Sequence, residues 1–137
     1  MARRLAAVSL LVRDYDEAIA HYCRGLGFEL IEDTDLGGGK RWVLVAPSKD
    51  AGSRLLLAQA SGPEQEARIG DQTGGRVFLF SHTEAFAADH ARYVEAGIRF
   101  IEAPRHEPYG TVAVFEDLYG NRWDLIEPAG NTPTRPV

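Results

Sequence analysis

The same order of secondary-structure elements occurs twice along the chain, and this repeat limits the possible folds more than any other feature. A short apolar strand, a capped helix and three further strands are predicted in residues 1–60, and the same order is predicted in residues 75–128. Gly27 and Gly97, at the ends of the two helices, are 70 residues apart in a chain of 137 residues. We therefore expect an α+β fold of two β-α-β-β-β modules.

The first module is predicted to end at residue 60, and a polar connector follows over residues 61–74 with one helical turn at Glu64–Arg68. Asp14, with Glu17 three residues later, forms a capping pattern for the first helix. The glycine-rich DLGGGK is predicted to be a turn. The predicted elements are the strands Leu5–Val12, Phe28–Ile31, Trp42–Ala46 and Arg54–Ala60, the helix Tyr15–Gly25 and the turn Asp35–Lys40.

The second module occupies residues 75–128, and residues 129–137 form a C-terminal tail. Thr83 is predicted to cap its helix, which should bury Phe86, His90, Tyr93 and Val94. The predicted elements are the strands Arg76–Phe80 and Ile98–Ile101, the helix Glu84–Ala96, the loop Glu102–Pro108 and the hairpin Gly110–Pro128.

The hairpin Gly110–Pro128 places a carboxylate in the middle of a strand. Two segments rich in β-forming residues flank Asp117–Asn121, where Gly120 and Asn121 favour a turn. Strand alternation predicts one face with Arg122, Asp124 and Ile126, and an opposite, apolar face with Trp123 and Leu125.

Composition and charge exclude several classes of protein. The net charge is −5, with both signs interspersed, so no basic stripe for nucleic acid is present. Cys23 is the lone cysteine, which excludes an intrachain disulfide and fits a cytoplasmic location. No apolar segment reaches the length of a transmembrane helix, and the apolar run near the N-terminus is interpreted as a strand. We expect no nucleic-acid or membrane partner.

The two ends of the chain, VSLLVRDYDEAIAHYCRGLGFEL and FEDLYGNRWDLIEP, resemble the vicinal oxygen chelate superfamily. That superfamily includes glyoxalase I, bleomycin-resistance proteins, fosfomycin-resistance enzymes and extradiol dioxygenases. The resemblance implies that the two modules pair to form a curved sheet around a cavity, with the helices outside. It also implies a small-molecule ligand, and many members are homodimers. The scaffold hosts several chemistries, so it leaves the function open.

The resemblance also locates the positions at which metal-binding members carry their ligands. Here these positions fall on Ala7, Leu57, Arg76 and Asp124. A shift of two residues would replace Leu57 with Gln59. One carboxylate supplies neither the six oxygen or nitrogen donors of a hard cation nor a two-histidine face for iron. We therefore expect no cofactor; the alternative is a metal-dependent lyase or dioxygenase with a different register.

Arg76 and Asp124 occupy former ligand positions in one module, so an ion pair between them is expected. Two roles of this pair are open: the pair orients a polar or anionic ligand, or each residue neutralises the buried charge of the other. An enzyme hypothesis has Arg76 stabilising an oxyanion while Asp124 or His106 moves a proton, as in an isomerase or lyase. A binding hypothesis has the pocket sequester a partly aromatic compound. The further ligand-binding candidates are Ser9, Gln59, Trp42, Phe78, Phe80 and Tyr109.

Overall fold

The computed structural model describes residues 2–50 and 52–130, and it confirms the mixed α+β fold. These residues divide into two compact units, one up to Gln72 and one from Thr73. Nine strands form two curved, open sheets among the described residues. The elements in chain order are β1 (Ala7–Val12), α1 (Tyr15–Ile19) with a π-helical continuation (Ala20–Gly25), β2 (Glu29–Gly37), β3 (Lys40–Ala46), β4 (Arg54–Gln59), α2 (Pro63–Glu66), β5 (Val77–His82), α3 (Phe86–Glu95), β6 (Arg99–Phe100), β7 (Arg105–Glu107), β8 (Gly110–Glu116) and β9 (Arg122–Pro128).

The first sheet has the strand order β1-β4-β3-β2. Strands β1 and β4 run parallel, and Leu10 lies opposite Leu57 in their register. Both leucines have no exposed surface. Because neighbouring residues of a strand point to opposite faces, Ser9 and Leu56, which are also register partners, belong to the other face. The first sheet therefore has one fully packed face and one face that is more open to solvent.

The helix of the first unit begins as predicted. The Asp14 carboxylate accepts a hydrogen bond from the Glu17 backbone N–H at 2.9 Å, which confirms the capping pattern. The helix then widens into a π-helix, in which the Leu26 N–H donates to the His21 carbonyl five residues earlier, at 3.1 Å. Tyr22 and Leu26 are buried, as the helical spacing predicts.

The hairpin β2–β3 is longer than the sequence predicts. The predicted turn Asp35–Lys40 is wrong in extent, because β2 continues to Gly37 and β3 begins at Lys40. Only Gly38 and Gly39 form the tip, and both have positive φ angles, 64° and 84°. The acidic residues Glu32, Asp33 and Asp35 lie on an exposed edge strand whose backbone is paired with β3.

The side chain of Gln72 forms hydrogen bonds with backbone groups on the free edge of β1. The amide oxygen of Gln72 accepts a hydrogen bond from the Leu11 N–H at 2.6 Å, and its amide nitrogen donates to the Ser9 carbonyl at 3.1 Å. These two backbone groups lie on the edge of β1 that faces away from β4. Gln72 thus links the connector to the first strand of the same unit.

In the second sheet, β9 lies between β5 and β8, and β8 pairs with β6 and β7 on its other side. The predicted loop Glu102–Pro108 is therefore partly wrong, because it contains β7. A three-residue strand gives little periodicity, and its pairing with β8 is a tertiary contact. Asp124 lies opposite Val114 and Trp123 opposite Phe115, so the two faces of the hairpin are those predicted.

Helix α3 begins at Phe86, and its first N–H is capped from another element. Phe86 N–H donates to the Glu127 carboxylate at 2.8 Å. Thr83 is not the cap predicted from the sequence: its hydroxyl accepts from the Ala85 N–H at 3.0 Å and bonds Asp89 at 2.6 Å. Phe86 and Tyr93 are buried as predicted, whereas Val94 is 54% exposed. The prediction of a buried Val94 is wrong because the helix starts later and is covered on one side only.

Candidate ligand-binding site

The first unit contains a cavity of about 570 Å³. It lies between the tip of the hairpin β2–β3, the second half of β4 and the segment from Ser61 to Gln65 that leads into and through the start of α2. The hairpin tip contributes Gly38 and Gly39, whose lack of side chains leaves this end open. The cavity volume is within the range of about 300 to 1,000 Å³ that small-molecule sites occupy.

Part of the cavity lining is apolar and includes an exposed aromatic ring. Trp42 is 40% exposed, which is unusual for a tryptophan within a strand. Leu44 lies opposite Leu56 in the β3–β4 register, so Trp42, Leu56 and Ala58 share one face of the sheet. Trp42, Leu56 and Ala58 all line the cavity. We call these three residues of the more open face the floor of the cavity; Leu57 and Gln59 line it from the other face of β4.

Polar groups are placed at the end of β4 and at α2. Gln59, Ser61 and Gln65 line this side of the cavity. The Gln65 amide oxygen accepts a hydrogen bond from the Ser61 N–H at 2.8 Å, which fixes the side chain against the loop. The Gln59 side chain is at the exposed end of β4. This rim supplies hydrogen-bond donors and acceptors beside an apolar floor.

Arg41 ties the hairpin β2–β3 to the start of α1. Its guanidinium donates to the Asp33 carboxylate at 3.1 and 2.7 Å and to Asp16 at 2.9 Å. It also lies over the Tyr15 ring, 5.2 Å from the centroid, and the Tyr15 hydroxyl accepts from the Arg41 N–H at 3.1 Å. The hydrogen bonds from Arg41 lower the pKa of Asp33, and the two carboxylates raise the pKa of Arg41. These contacts fix the positions of Tyr15 and Arg41, which both line the cavity.

Replacing Arg41 with Gln should lower the unfolding free energy by about 1 kcal/mol, since the ion pairs are partly solvated and screened. The folded state depresses the pKa of Asp33, so this stabilisation is present above the unfolded pKa and is lost as the pH falls through the folded value. Thermal unfolding of both proteins should therefore show a Tm difference at pH 7 that shrinks below about pH 4. Arg68→Gln, which removes a 3.8 Å surface pair, is the control; a pH-independent difference would contradict the assignment.

Two predicted ligand-binding residues, Trp42 and Gln59, line the cavity. The others lie elsewhere in the described structure. Ser9 is exposed on β1, and its carbonyl bonds Gln72. Phe78 and Phe80 are on β5, where Phe80 is 56% exposed and lies opposite Asp124. Tyr109 is half-buried between β7 and β8.

The expected ion pair between Arg76 and Asp124 does not form, and the sheet register gives the reason. Phe80 is the residue of β5 opposite Asp124, so Arg76 lies four residues away, about 13 Å along the strand. Arg76 is exposed just before β5, and the ion pairs of residues 2–50 and 52–130 do not include it. Asp124 is buried, 3% exposed, with interactions of its own.

His106, the predicted base, is exposed on β7, and its Nδ1 is 3.1 Å from the Thr111 hydroxyl. The two registers of β8 place Thr111 opposite both His106 and Glu127. On β9, Asp124 is three residues before Glu127, which corresponds to about 10 Å along the strand. His106 is level with Glu127, so it is about this far from Asp124 along the strand direction. The pairing of the strands does not bring the two predicted acid–base residues together.

The former metal-ligand positions of the first unit do not fit a metal ion. Ala7 pairs with Arg54, so this face carries a permanently charged guanidinium at the level of Ala7. Leu57 is on the face opposite to Ala7, and Leu56 is on the face of Ala7; neither leucine can ligate a metal ion. Within the described part of the chain, no group of three histidine, cysteine, aspartate or glutamate side chains is placed to hold a metal ion.

Several lining residues were not predicted from the sequence: Tyr15, Lys40, Leu56, Ala58, Ser61 and Gln65. Lys40 was assigned to the turn, although its position two residues before Trp42 would have placed both on one face of a longer strand. Leu56 and Ala58 alternate with Leu57 and Gln59 along β4, and both faces of this strand contribute to the lining, whereas the sequence pattern predicts one. The sequence predicts Tyr15 as the first residue of a helix and gives no signal that its side chain lines a cavity.

Residues 4–125 match the Glyoxalase/Bleomycin resistance protein/Dioxygenase superfamily, and the chain belongs to this family. A protein of Shewanella frigidimarina is 52% identical over 128 residues, which cover 93% of this chain and 95% of that protein. No helix in the described ranges is both long and apolar enough to cross a membrane.

Two solved structures are similar along nearly their whole length. UcmS2 has a TM-score of 0.80 and 32% identity, with 93% of this chain and 99% of that chain covered. TnmS3, an antibiotic binding protein from Streptomyces sp. CB03234, has a TM-score of 0.77 and 30% identity, with 93% and 98% covered. The family thus includes proteins that bind a small molecule on this scaffold.

Proposed function

We propose that this protein binds an aromatic small molecule in the cavity of its first unit and holds it without changing it. The observation that carries the proposal is the tryptophan side chain, 40% exposed, on the floor of a cavity of about 570 Å³. An exposed indole in a strand forgoes burial that a tryptophan normally gains. A flat ligand that stacks on Trp42 and covers Leu56 and Ala58 would provide that burial.

The side chains around the cavity favour binding over catalysis. No histidine, cysteine, aspartate or glutamate is among the lining residues that the structure describes. General acid–base catalysis uses histidine most often and carboxylates frequently, placed within hydrogen-bond reach of the ligand. The similarity to TnmS3, an antibiotic binding protein, also supports a binding function. Metal-free binding is part of this proposal, and a homodimer and a cytoplasmic location stay predictions.

Replacing Trp42 with Ala should weaken binding of a three-ring aromatic probe about tenfold, because stacking and apolar contact are lost. Anthracene-9-carboxamide is a suitable neutral probe. Binding is measured by quenching of tryptophan fluorescence in the wild type; for the variants, the fluorescence of the probe is followed. Trp42→Phe should retain most of the affinity, since a smaller ring stays in place.

Leu36→Ala is the matched control, because Leu36 is 51% exposed and is not a lining residue. Phe80→Ala tests the predicted alternative on the second sheet, where Phe80 is 56% exposed. The proposal fails if the probe binds equally well to wild type and Trp42→Ala. A loss confined to Phe80→Ala would move the site to the second unit.

A further inference from the structure

We propose that the cavity of the first unit selects aromatic compounds that carry an acidic group, and that Lys40 recognises the acid. This inference rests on the proposed function and adds the class of ligand. The lining contains two cationic residues, Lys40 and Arg41, and no acidic one in the part of the chain that the structure describes. The cavity therefore presents positive charge in a protein whose net charge is −5.

The two cations differ in how far they are already neutralised. Asp33 and Asp16 bind the Arg41 guanidinium, so most of its charge is balanced within the protein. The Lys40 ammonium has no hydrogen bond or ion pair with any described residue. An ammonium group has three donors and no acceptor, so a ligand anion is its natural partner. Lys40 is thus the uncompensated charge at the cavity.

The strand geometry sets the distance between this charge and the aromatic ring. Lys40 and Trp42 are two residues apart in β3, so their side chains leave the same face of the sheet. Their Cα atoms are about 7 Å apart along the strand. Arg41 lies between them in sequence and points to the other face, toward Asp16 and Tyr15 of α1. A flat ligand on Trp42 therefore places a ring substituent within reach of Lys40.

The glycine tip leaves room for this arrangement. Gly38 and Gly39 precede Lys40 and line the cavity, and neither carries a side chain. The long side chain of Lys40 can therefore turn toward a bound anion without meeting the tip. A carboxylate, a sulfonate and a phenolate share the chemistry that an ammonium recognises. The structure supports the class of acidic aromatic compounds and no single member of it.

The test uses two probes of the same shape and different charge, anthracene-9-carboxylate and anthracene-9-carboxamide. The wild type should bind the carboxylate about fivefold more tightly than the amide, which is the size of a partly exposed ion pair. This preference should fall as salt is raised from 20 to 500 mM, since exposed charges are screened. Lys40→Gln should remove the preference, so that the ratio of the two affinities falls to about one, because neither probe then meets an ammonium group.

The chain offers a matched control, because its two lysines are Lys40 and Lys49. Lys49→Gln changes the net charge by the same amount, but Lys49 is exposed in the loop after β3 and is not a lining residue. It should keep the preference for the carboxylate. An equal effect of the two substitutions would show that the net charge acts, and would overturn the role of Lys40.

A spectroscopic measurement gives an independent readout. Reductive ¹³C-methylation labels both lysines and keeps their charge, and the Lys40→Gln variant identifies the Lys40 signal. This signal should shift on addition of the carboxylate and move less with the amide, while the Lys49 signal should stay in place. If the wild type binds both probes equally and Trp42→Ala weakens both, the inference is wrong and the proposed function stands. If neither probe binds, the proposed function fails, and the inference fails with it.

Discussion

Gly110→Ala should destabilise the protein by about 3 kcal/mol or more, because the added methyl group would meet backbone atoms of the neighbouring strand. Gly110 is the first residue of β8 and lies opposite Pro128 at the end of β9. A Cβ at this position would overlap the carbonyl oxygen of Glu127 and would be 3.0 Å from the Pro128 Cα. Both contacts are with backbone, so no rotamer change can relieve them.

The backbone angle adds to the cost, because the φ angle of Gly110 is 151°, a value that residues with a side chain rarely adopt. The only relief is separation of β8 from β9, which would also displace Glu127, the residue that caps α3 through the Phe86 N–H. We expect Tm to fall by roughly 10 °C in a chain of this size. Gly130→Ala is the control, since nothing lies within 4 Å of its Cβ position and its φ is not positive. Equal Tm values for the two variants would contradict the close approach.

Asp117→Ala is the second substitution with a large expected effect, a loss of about 3 kcal/mol. Asp117 is 5% exposed in the turn between β8 and β9. One carboxylate oxygen accepts from the N–H groups of Tyr119 and Asn121, both at 2.9 Å, and the other accepts from the Asn121 side-chain amide at 2.9 Å. Alanine would leave these donors without their acceptor, and Asn121 is itself buried, 3% exposed.

Asp35→Ala tests whether burial is the cause. The Asp35 carboxylate makes a similar bond to the N–H two residues later, Gly37, at 2.8 Å, but the residue is exposed on β2. Water can replace this acceptor, so we expect a loss below about 1 kcal/mol. Chemical denaturation of both variants measures the difference, and Asp117→Asn should lie between wild type and Asp117→Ala. A similar loss for Asp35 and Asp117 would show that burial is not decisive.

The fold could be predicted from the sequence because local patterns and their repetition agree. The capping of α1 by Asp14, the faces of the last hairpin and the order of the elements all depend on residues close in sequence. The secondary-structure predictions were wrong where contacts between residues far apart in sequence determine the local structure. The acidic strand β2 and the short strand β7 are held by pairing with a neighbour, and Glu127 caps α3 from 41 positions along the chain.

The site was predicted less well than the fold. Trp42 and Gln59 lie at the cavity, but the pairing of Arg76 with Asp124 depended on a register that β5 and β9 do not have. Since neighbouring residues of a strand point to opposite faces, the pairing of β1 with β4 decides that Leu56 shares the face of Ala7 and that Leu57 does not. The charge of Lys40 could be read from the sequence, but its lack of a partner depends on the folded structure.

The amide of Gln72 has a consequence for the behaviour of the protein at high concentration. A sheet edge with free N–H and C=O groups can recruit a strand from another molecule, which is a common start of aggregation. Gln72 occupies the Leu11 N–H and the Ser9 carbonyl, and so blocks one register of such pairing on β1. The opposite edge, β2, carries acidic residues that repel a second copy of the same strand. The two edges of the first sheet are thus protected by different means, one by a hydrogen-bonded side chain and one by charge.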